Sequence, residues 1–317
     1  MKQSLQSIEV FNSGYETQSH QREHMNKTAA IVVLFNPVGV DTTIGTISAQ
    51  VDFCLLVDNT PNAEATSWQQ QNNIHSVHLG ENYGVAYAQN YGLDKAKALG
   101  ADYVVFFDQD SDVPEEYVPQ MVNSYDKLRS LDVNVGLIAA RAFNKYTGTT
   151  YRHRDKSNLK NIRSIINRYS EVEYTLSSGS FVKLDVFEEV GLFHAPLFID
   201  SVDHEFCWRL STCGYKVLID EELKLPHMLG EKRRDNTFVT VNVPAPIRHY
   251  YVFRNWIHLC KQKHVPYQFK TRTLLRMPLK ATYFICFESP RRQRLKYIAK
   301  GVWHGLIGKL GRYPSSK

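Results

Sequence analysis

Apolar and polar positions follow two periods along the first two thirds of this chain. Runs rich in Val, Ile, Leu and Phe at Ala30 to Phe35, Phe53 to Val57, Ile74 to Leu79 and Tyr103 to Phe107 have the length of buried strands. Each ends in a polar turn: Asn36-Pro37, Asp58-Asn59, Gly80-Glu81-Asn82 and Asp108. Between the third and fourth runs, Val85 to Leu99 is Ala-rich and helical in spacing, and Gly100 stops it. Strand, helix, strand at this spacing predicts an α/β fold with a mostly parallel sheet and helices on both faces. Further strands are expected at Val135 to Ala139 and Gly179 to Lys183, and a short helix from Asp185 to Val190 closed by Gly191. A helix from Asp203 to Cys213 ends at Gly214, with Glu205 and Arg209 four apart and able to pair.

Residues 1–24 are polar and Gln-rich without an apolar period, and read as a loosely ordered extension. Met25, directly before the first strand, is a candidate alternative start. Residues 25–250 then form the main domain and 251–317 a basic helical region. The stretch from Tyr146 to Tyr169 is polar and basic and reads as an excursion from the sheet.

Composition narrows the class. The 317 residues, 43% hydrophobic and 22% charged, can bury a full-sized core. The five cysteines are scattered and form no Cys-x-x-Cys pair, which suits free thiols in a reducing cytoplasm. No apolar run approaches the roughly 20 residues of a spanning helix. The net charge of +6 hides an asymmetry: residues 261–317 carry 14 Lys and Arg against the single acid Glu288, so residues 1–260 stand at −7. The acidic body suits a cation, and the basic tail an anionic surface.

The candidate chemistry starts at Asp108, Asp110 and Asp112, three carboxylates at the C-terminal end of a core strand, where open α/β sheets place ligands. Crowded carboxylates repel one another, so a divalent cation is the natural partner. Oxygen ligands suit Mg²⁺ or Mn²⁺, and Mg²⁺ is commonly held by one or two carboxylates plus substrate phosphates. A solvated acidic turn is the plain alternative. Asp58 offers an acceptor to the N3 hydrogen of uracil or thymine, which cytosine lacks. Gly84 and the small residues after it let a loop and a helix start approach a nucleotide closely, with Asn36 and Asn82 at neighbouring strand ends as polar donor contacts.

Asp58-Asn59, Glu81-Asn82-x-Gly84-x-Ala86-x-Ala88, Asp108-x-Asp110 and Asp203-x-Glu205 with Trp208-Arg209-Leu210 occur in that order, together with Ser178-Gly179-Ser180 and His227. In this the chain resembles family 2 glycosyltransferases of the GT-A (nucleotide-diphospho-sugar transferase) fold, from about Ala30 to Gly230. Phe198-Ile-Asp-Ser-Val-Asp-His-Glu205 and Tyr250-Tyr-Val-Phe-Arg-Asn255 are similar to the bacterial rhamnosyltransferases of O-antigen and capsule assembly. The resemblance implies that Asp110 is the direct metal ligand, that Asp108 contacts ribose or a metal-bound water, and that His227 adds a ligand. It makes Asp203 the base that deprotonates the acceptor hydroxyl. Val202 stands where many members have Glu, and His194-Ala195 where Asp-Glu is common, so Asp200 and Glu205 remain competing carboxylates. Glu205 is otherwise expected on the helix surface or against the acceptor, beside Ser178 and Gly179, and the Tyr146 to Tyr169 excursion is expected near that side. Arg254 could meet the diphosphate.

The implied activity is metal-dependent, inverting transfer of L-rhamnose from dTDP-L-rhamnose to a growing, lipid-linked bacterial polysaccharide. A UDP-hexose or UDP-galactofuranose transferase is the neighbouring alternative, and a non-catalytic glycan-binding scaffold the one from another class. Between Arg291 and Arg312, Leu295, Ile298, Val302, Leu306 and Leu310 recur at helical spacing among basic residues. That pattern suits a helix lying on the anionic inner face of the cytoplasmic membrane, or one packed on the catalytic domain or on a second subunit of a homo-oligomer. No nucleic-acid recognition motif accompanies the charge.

Overall fold

A computed structural model of the chain describes residues 26–62, 73–144, 148–150, 168–227, 233–236, 239–242 and 244–314. The expected extension over 1–24, Met25 and most of the Tyr146 to Tyr169 excursion lie outside the described residues.

The strands run β1 (Thr28–Leu34), β2 (Phe53–Asp58), β3 (Ile74–His78), β4 (Tyr103–Asp108), β5 (Val135–Asn144), β6 (Tyr169–Glu171), β7 (Ser180–Lys183) and β8 (Lys216–His227). They form one eight-stranded sheet in the order β3-β2-β1-β4-β7-β5-β8-β6, and β9 (Arg233–Asn236) pairs with β10 (Val239–Asn242) separately. The expected parallel pairing holds for β1 to β4 and for β5 with β8. It fails at β7, antiparallel to both β4 and β5, and at β6, antiparallel to β8.

Alternation along the strands divides the core. Ala29, Ile31, Val104 and Phe106 face α2 (Val85–Ala98) and α5 (Val202–Thr212), whose Phe206, Trp208 and Leu210 are buried there. Ala30, Val32, Val105 and Phe107 face α1 (Asp41–Ser48) and α3 (Tyr117–Arg129). The short helix α4 (Val186–Val190) and a 3₁₀ turn (Ala195–Leu197) lead to α5. A C-terminal module follows: α6 (Arg248–Cys260), α7 (Tyr267–Phe287) and α8 (Arg291–Ile307). The boundary expected at residue 250 falls inside α6. Tyr250, Phe253, Arg254 and Asn255 of that helix are fully or almost fully buried.

Candidate active site

Two carboxylates mark one edge of the sheet. Asp58 ends β2 opposite Leu34 of β1, and Asp108 ends β4 opposite Val33 on the other side of β1. They stand two strand spacings apart, about 10 Å along the sheet edge. A nucleoside diphosphate can lie along that edge with its base at one carboxylate and its phosphates at the other.

Asp58 is buried and held on both oxygens: Thr60 N donates to Oδ1 at 2.9 Å, and His78 Nδ1 lies 3.1 Å from Oδ2. Its orientation is thus set before any ligand arrives, and each oxygen retains a second lone pair for a base. Asn82 braces the loop that covers this turn. Its Oδ1 accepts from Asn59 Nδ2 at 3.1 Å and from Gly84 N at 3.0 Å, while Asn59 Oδ1 accepts from Tyr83 N at 2.8 Å. Only Asn82 Nδ2 takes no part in these bonds. Asn36 turns β1 out of the sheet at φ 47° and donates its N–H to Thr60 Oγ1 at 2.7 Å.

The turn after β4 is braced from both sides. Gln109, between the two aspartates, accepts from Phe35 N at 2.7 Å and donates to Phe35 O at 3.1 Å, which ties it to β1. Asp108 N donates to Ser111 Oγ at 3.0 Å and to Ser178 Oγ at 3.3 Å, and the two hydroxyls lie 2.8 Å apart. Gly179 N donates to Phe106 O at 2.6 Å, and a Cβ on Gly179 would fall 2.4 Å from Leu225 Cδ2. Ser178 and Gly179 therefore support the aspartate turn from behind, in a packed environment. Asp110 is exposed at the tip and Asp108 half-buried.

The base candidate Asp203 stands in the first turn of α5. Before it lies a segment with left-handed backbone at Phe198 (φ 69°), Asp200 (φ 67°) and Ser201 (φ 65°). Three such non-glycine residues in four cost energy that surrounding contacts must offset, and this pattern clusters at functional sites. Asn255 Nδ2 serves the carbonyls of Leu197, Ile199 and Asp200 at 3.1, 2.8 and 2.9 Å. Phe198 stacks on Tyr251 with ring centroids 4.7 Å apart. Gly84 (φ 89°) belongs to the same device: a Cβ there would sit 2.5 Å from Phe198 O. The glycine thus lets the strained segment reach the start of α2 and couples the Asp58 side to the Asp203 side.

Four expected residues are placed apart from the two strand-end carboxylates or are committed to other partners. Arg254 is fully buried, and its guanidinium donates to Leu197 O at 2.7 Å, to Pro196 O at 3.3 Å and to Gly311 O. Burial lowers its pKa, and its donors are committed to carbonyls, so it is a structural clasp rather than a diphosphate contact. Glu205 is 3% exposed, accepts from Arg209 Nε at 2.8 Å and lies 3.0 Å from His264 Nε2. It sits in the interior, away from the helix surface, because α5 is packed on both flanks. Asp200 pairs with Arg248 at 2.5 Å, so its carboxylate is committed to an ion pair. His227 ends β8 beside Asn144, on the third strand from β4.

Sequence reasoning missed Thr60, His78, Gln109, Ser111, Arg248 and, as an anchor, Asn255. Gln109 carried a signal, as the residue between two motif aspartates; the others became visible only through contacts across the fold. Among the described residues, no three His, Cys, Asp or Glu side chains group closely enough to hold a metal ion by themselves. Asp108 and Asp110 form an oxygen-only pair at an open strand end, and that pair fits a cation completed by phosphate oxygens and water.

Residues 40–191 match the family described as Glycosyl transferase family 2. The dTDP-rhamnosyl transferase RfbF of Shigella flexneri is 28% identical over 298 residues, which cover 89% of this chain and 95% of that protein. The low-salt glycan biosynthesis hexosyltransferase Agl10 of Haloferax volcanii is 22% identical over 174 residues, 51% of this chain and 54% of that one. Among solved structures, GalNAc-T7 with UDP, GalNAc and Mn²⁺ superposes with a TM-score of 0.56 at 12% identity, over 90% of this chain. This chain spans 56% of the length of GalNAc-T7. S. aureus TarS 1-349 in complex with UDP-GlcNAc gives 0.55 at 13% identity, over 89% of this chain and 81% of that one.

Proposed function

Because the chain is a family 2 glycosyltransferase of the GT-A fold, we propose that it transfers L-rhamnose from dTDP-L-rhamnose, with inversion, to a hydroxyl of a growing bacterial surface polysaccharide. The similarity to a dTDP-rhamnosyl transferase along 89% of the chain carries the choice of donor. The geometry supports it. Asp58, preset by Thr60 and His78, accepts the N3 hydrogen of thymine, and Asp108 and Asp110 would hold Mg²⁺ or Mn²⁺ at the other end of the edge. Such an ion would supply neutralisation of the charge on the leaving diphosphate.

Asp203 removes the proton from the acceptor hydroxyl as that oxygen attacks the anomeric carbon from the face opposite the diphosphate. The new glycosidic C–O bond forms as the bond from the anomeric carbon to the phosphate oxygen breaks, and dTDP departs with the electron pair. A single carboxylate is enough for this one-step displacement; the Phe198 to Ser201 segment sets its position and closes onto Gly84.

A donor panel tests the reading. With Mg²⁺ or Mn²⁺ present, dTDP-rhamnose should raise the melting temperature more than UDP-glucose, UDP-galactose or GDP-mannose do. Asp203→Asn should keep that shift while transfer falls by roughly a hundredfold or more. A larger shift with a UDP-hexose would move the assignment to the UDP-sugar transferases, since Asp58 reads uracil as well as thymine. Loss of the shift in Asp203→Asn would make Asp203 a donor contact instead of the base.

A further inference from the structure

The sequence pattern singles out the last helix as the amphipathic one, yet the tertiary structure turns much of its apolar side inward. Along α8, Arg294, Ile298, Gly301, His304 and Gly305 are buried against α6. A Cβ on Gly301 would lie 2.5 Å from Tyr250 O, and one on Gly305 2.7 Å from Arg254 O. The unpartnered apolar surface lies mainly on α7. Of its 21 residues only Thr273 is buried. Leu275 is 75% exposed, Leu279 73% and Phe287 65%.

Helical spacing places Leu275, Leu279 and Cys286 on one line, with Leu274, Pro278 and Ile285 beside them and no charge among them. The stripe is about 17 Å long. Arg272 and Arg276 border it on α7, while Leu295, Trp303 and Leu306 of α8 share a face with Arg292 and Lys296. No described helix is long and apolar enough to cross a membrane.

Charge selects the occupant. In residues 261–317 the one acid, Glu288, is 4% exposed and receives the Tyr283 hydroxyl at 3.2 Å, so the surface presents cations alone. A second copy packed about a twofold axis would set that cationic surface against itself. An anionic bilayer satisfies both parts: Leu275, Leu279, Phe287 and Trp303 enter the headgroup and acyl boundary, and the long Arg and Lys side chains reach lipid phosphates. We infer that the α7–α8 hairpin seats this protein on an anionic lipid surface, with α7 rather than α8 supplying most of the apolar contact. The inference does not rest on the sugar donor.

The full chain should cosediment with phosphatidylcholine vesicles that contain phosphatidylglycerol and much less with phosphatidylcholine alone. Trp303 emission should shift to the blue, and high salt should weaken binding. The double variant Leu275→Ser/Leu279→Ser alters exposed positions, so its melting temperature should be unchanged while vesicle affinity falls about tenfold or more. Donor hydrolysis in solution should match the wild type, which separates this test from the transferase reading. Equal vesicle binding by variant and wild type would overturn the inference, as would absence of binding to the anionic vesicles. A wild-type dimer in light scattering that the double variant converts to monomer would assign the face to a second copy instead.

Discussion

The two sides of the proposed active site are built in opposite ways. On the donor side, Asn36, Asp58, Asn82 and Asp108 lie at or just beyond the ends of strands, and apart from Ser178 and Gly179 their braces come from adjacent turns: Thr60, Asn59, Gln109, Ser111. On the Asp203 side, the positioning segment is held by α6 and by residues 311–313, more than fifty positions away along the chain. The donor side therefore sets Asp110 at an exposed tip and Asp58 in a buried turn, on a scaffold braced mostly by neighbouring turns. Geometry on the other side depends on buried long-range polar contacts, where removal of one partner leaves several carbonyls unsatisfied.

The sharpest way to break the comparison is Asp110→Ala. The side chain is exposed, so unfolding free energy should change by less than about 0.5 kcal/mol, while donor turnover falls by about a hundredfold or more. Urea denaturation and dTDP release measure the two quantities. A large loss of stability would show that the donor side is not the independent scaffold described.

Arg254→Ala should do the reverse. It strips partners from the carbonyls of Leu197 and Gly311 in a fully buried setting, and about 3 kcal/mol or more of stability should be lost. At low temperature the folded fraction should still bind dTDP, because Arg254 touches no donor position. If binding disappears while stability holds, Arg254 is a diphosphate contact after all.

A smaller effect separates the sides by pH. Burial lowers His249 and His258 to about 4, and both lie in α6; Arg294 Nη1 adds to this by donating to His249 Nε2 at 2.5 Å. Since these imidazoles stay neutral in the folded state and charge near pH 6.5 when unfolded, acid favours the unfolded chain. Their contribution is intact above pH 6.5, declines as pH falls toward 4, and is lost below that. The melting temperature should drop by about 5 °C or more between pH 7 and pH 5. Fluorescence should register it first from the C-terminal half, which holds Trp208, Trp256 and Trp303. A pH-independent melt would mean that these histidines are hydrated in the folded protein.

The same division explains what was legible. The strands that end at Asp58 and Asp108 were readable because a buried strand needs an unbroken apolar run and its terminating turn needs polar residues, both local requirements. The antiparallel insertion of β7 was not readable, since Ser180 to Lys183 is too short to carry a direction. Arg254 and Glu205 were placed wrongly for a shared reason. A charged side chain reads as a surface or ligand group unless all its partners are visible: the carbonyls at 196, 197 and 311 that hold Arg254 were not, and the legible Glu205–Arg209 pair gave no sign of His264 on the other side of Glu205.

Apolar periodicity, the carboxylates at strand ends and the lopsided charge thus determined by themselves the fold class, a carboxylate-bearing strand edge and a cationic C-terminal region, because each depends on neighbours within a few residues. Tertiary structure alone decided which basic residues face solvent, which helix leaves its leucines uncovered and how Phe198 to Ser201 is held in left-handed backbone. Burial and hydrogen bonding at those positions are settled by segments remote in the chain, and no local pattern encodes which remote segment arrives.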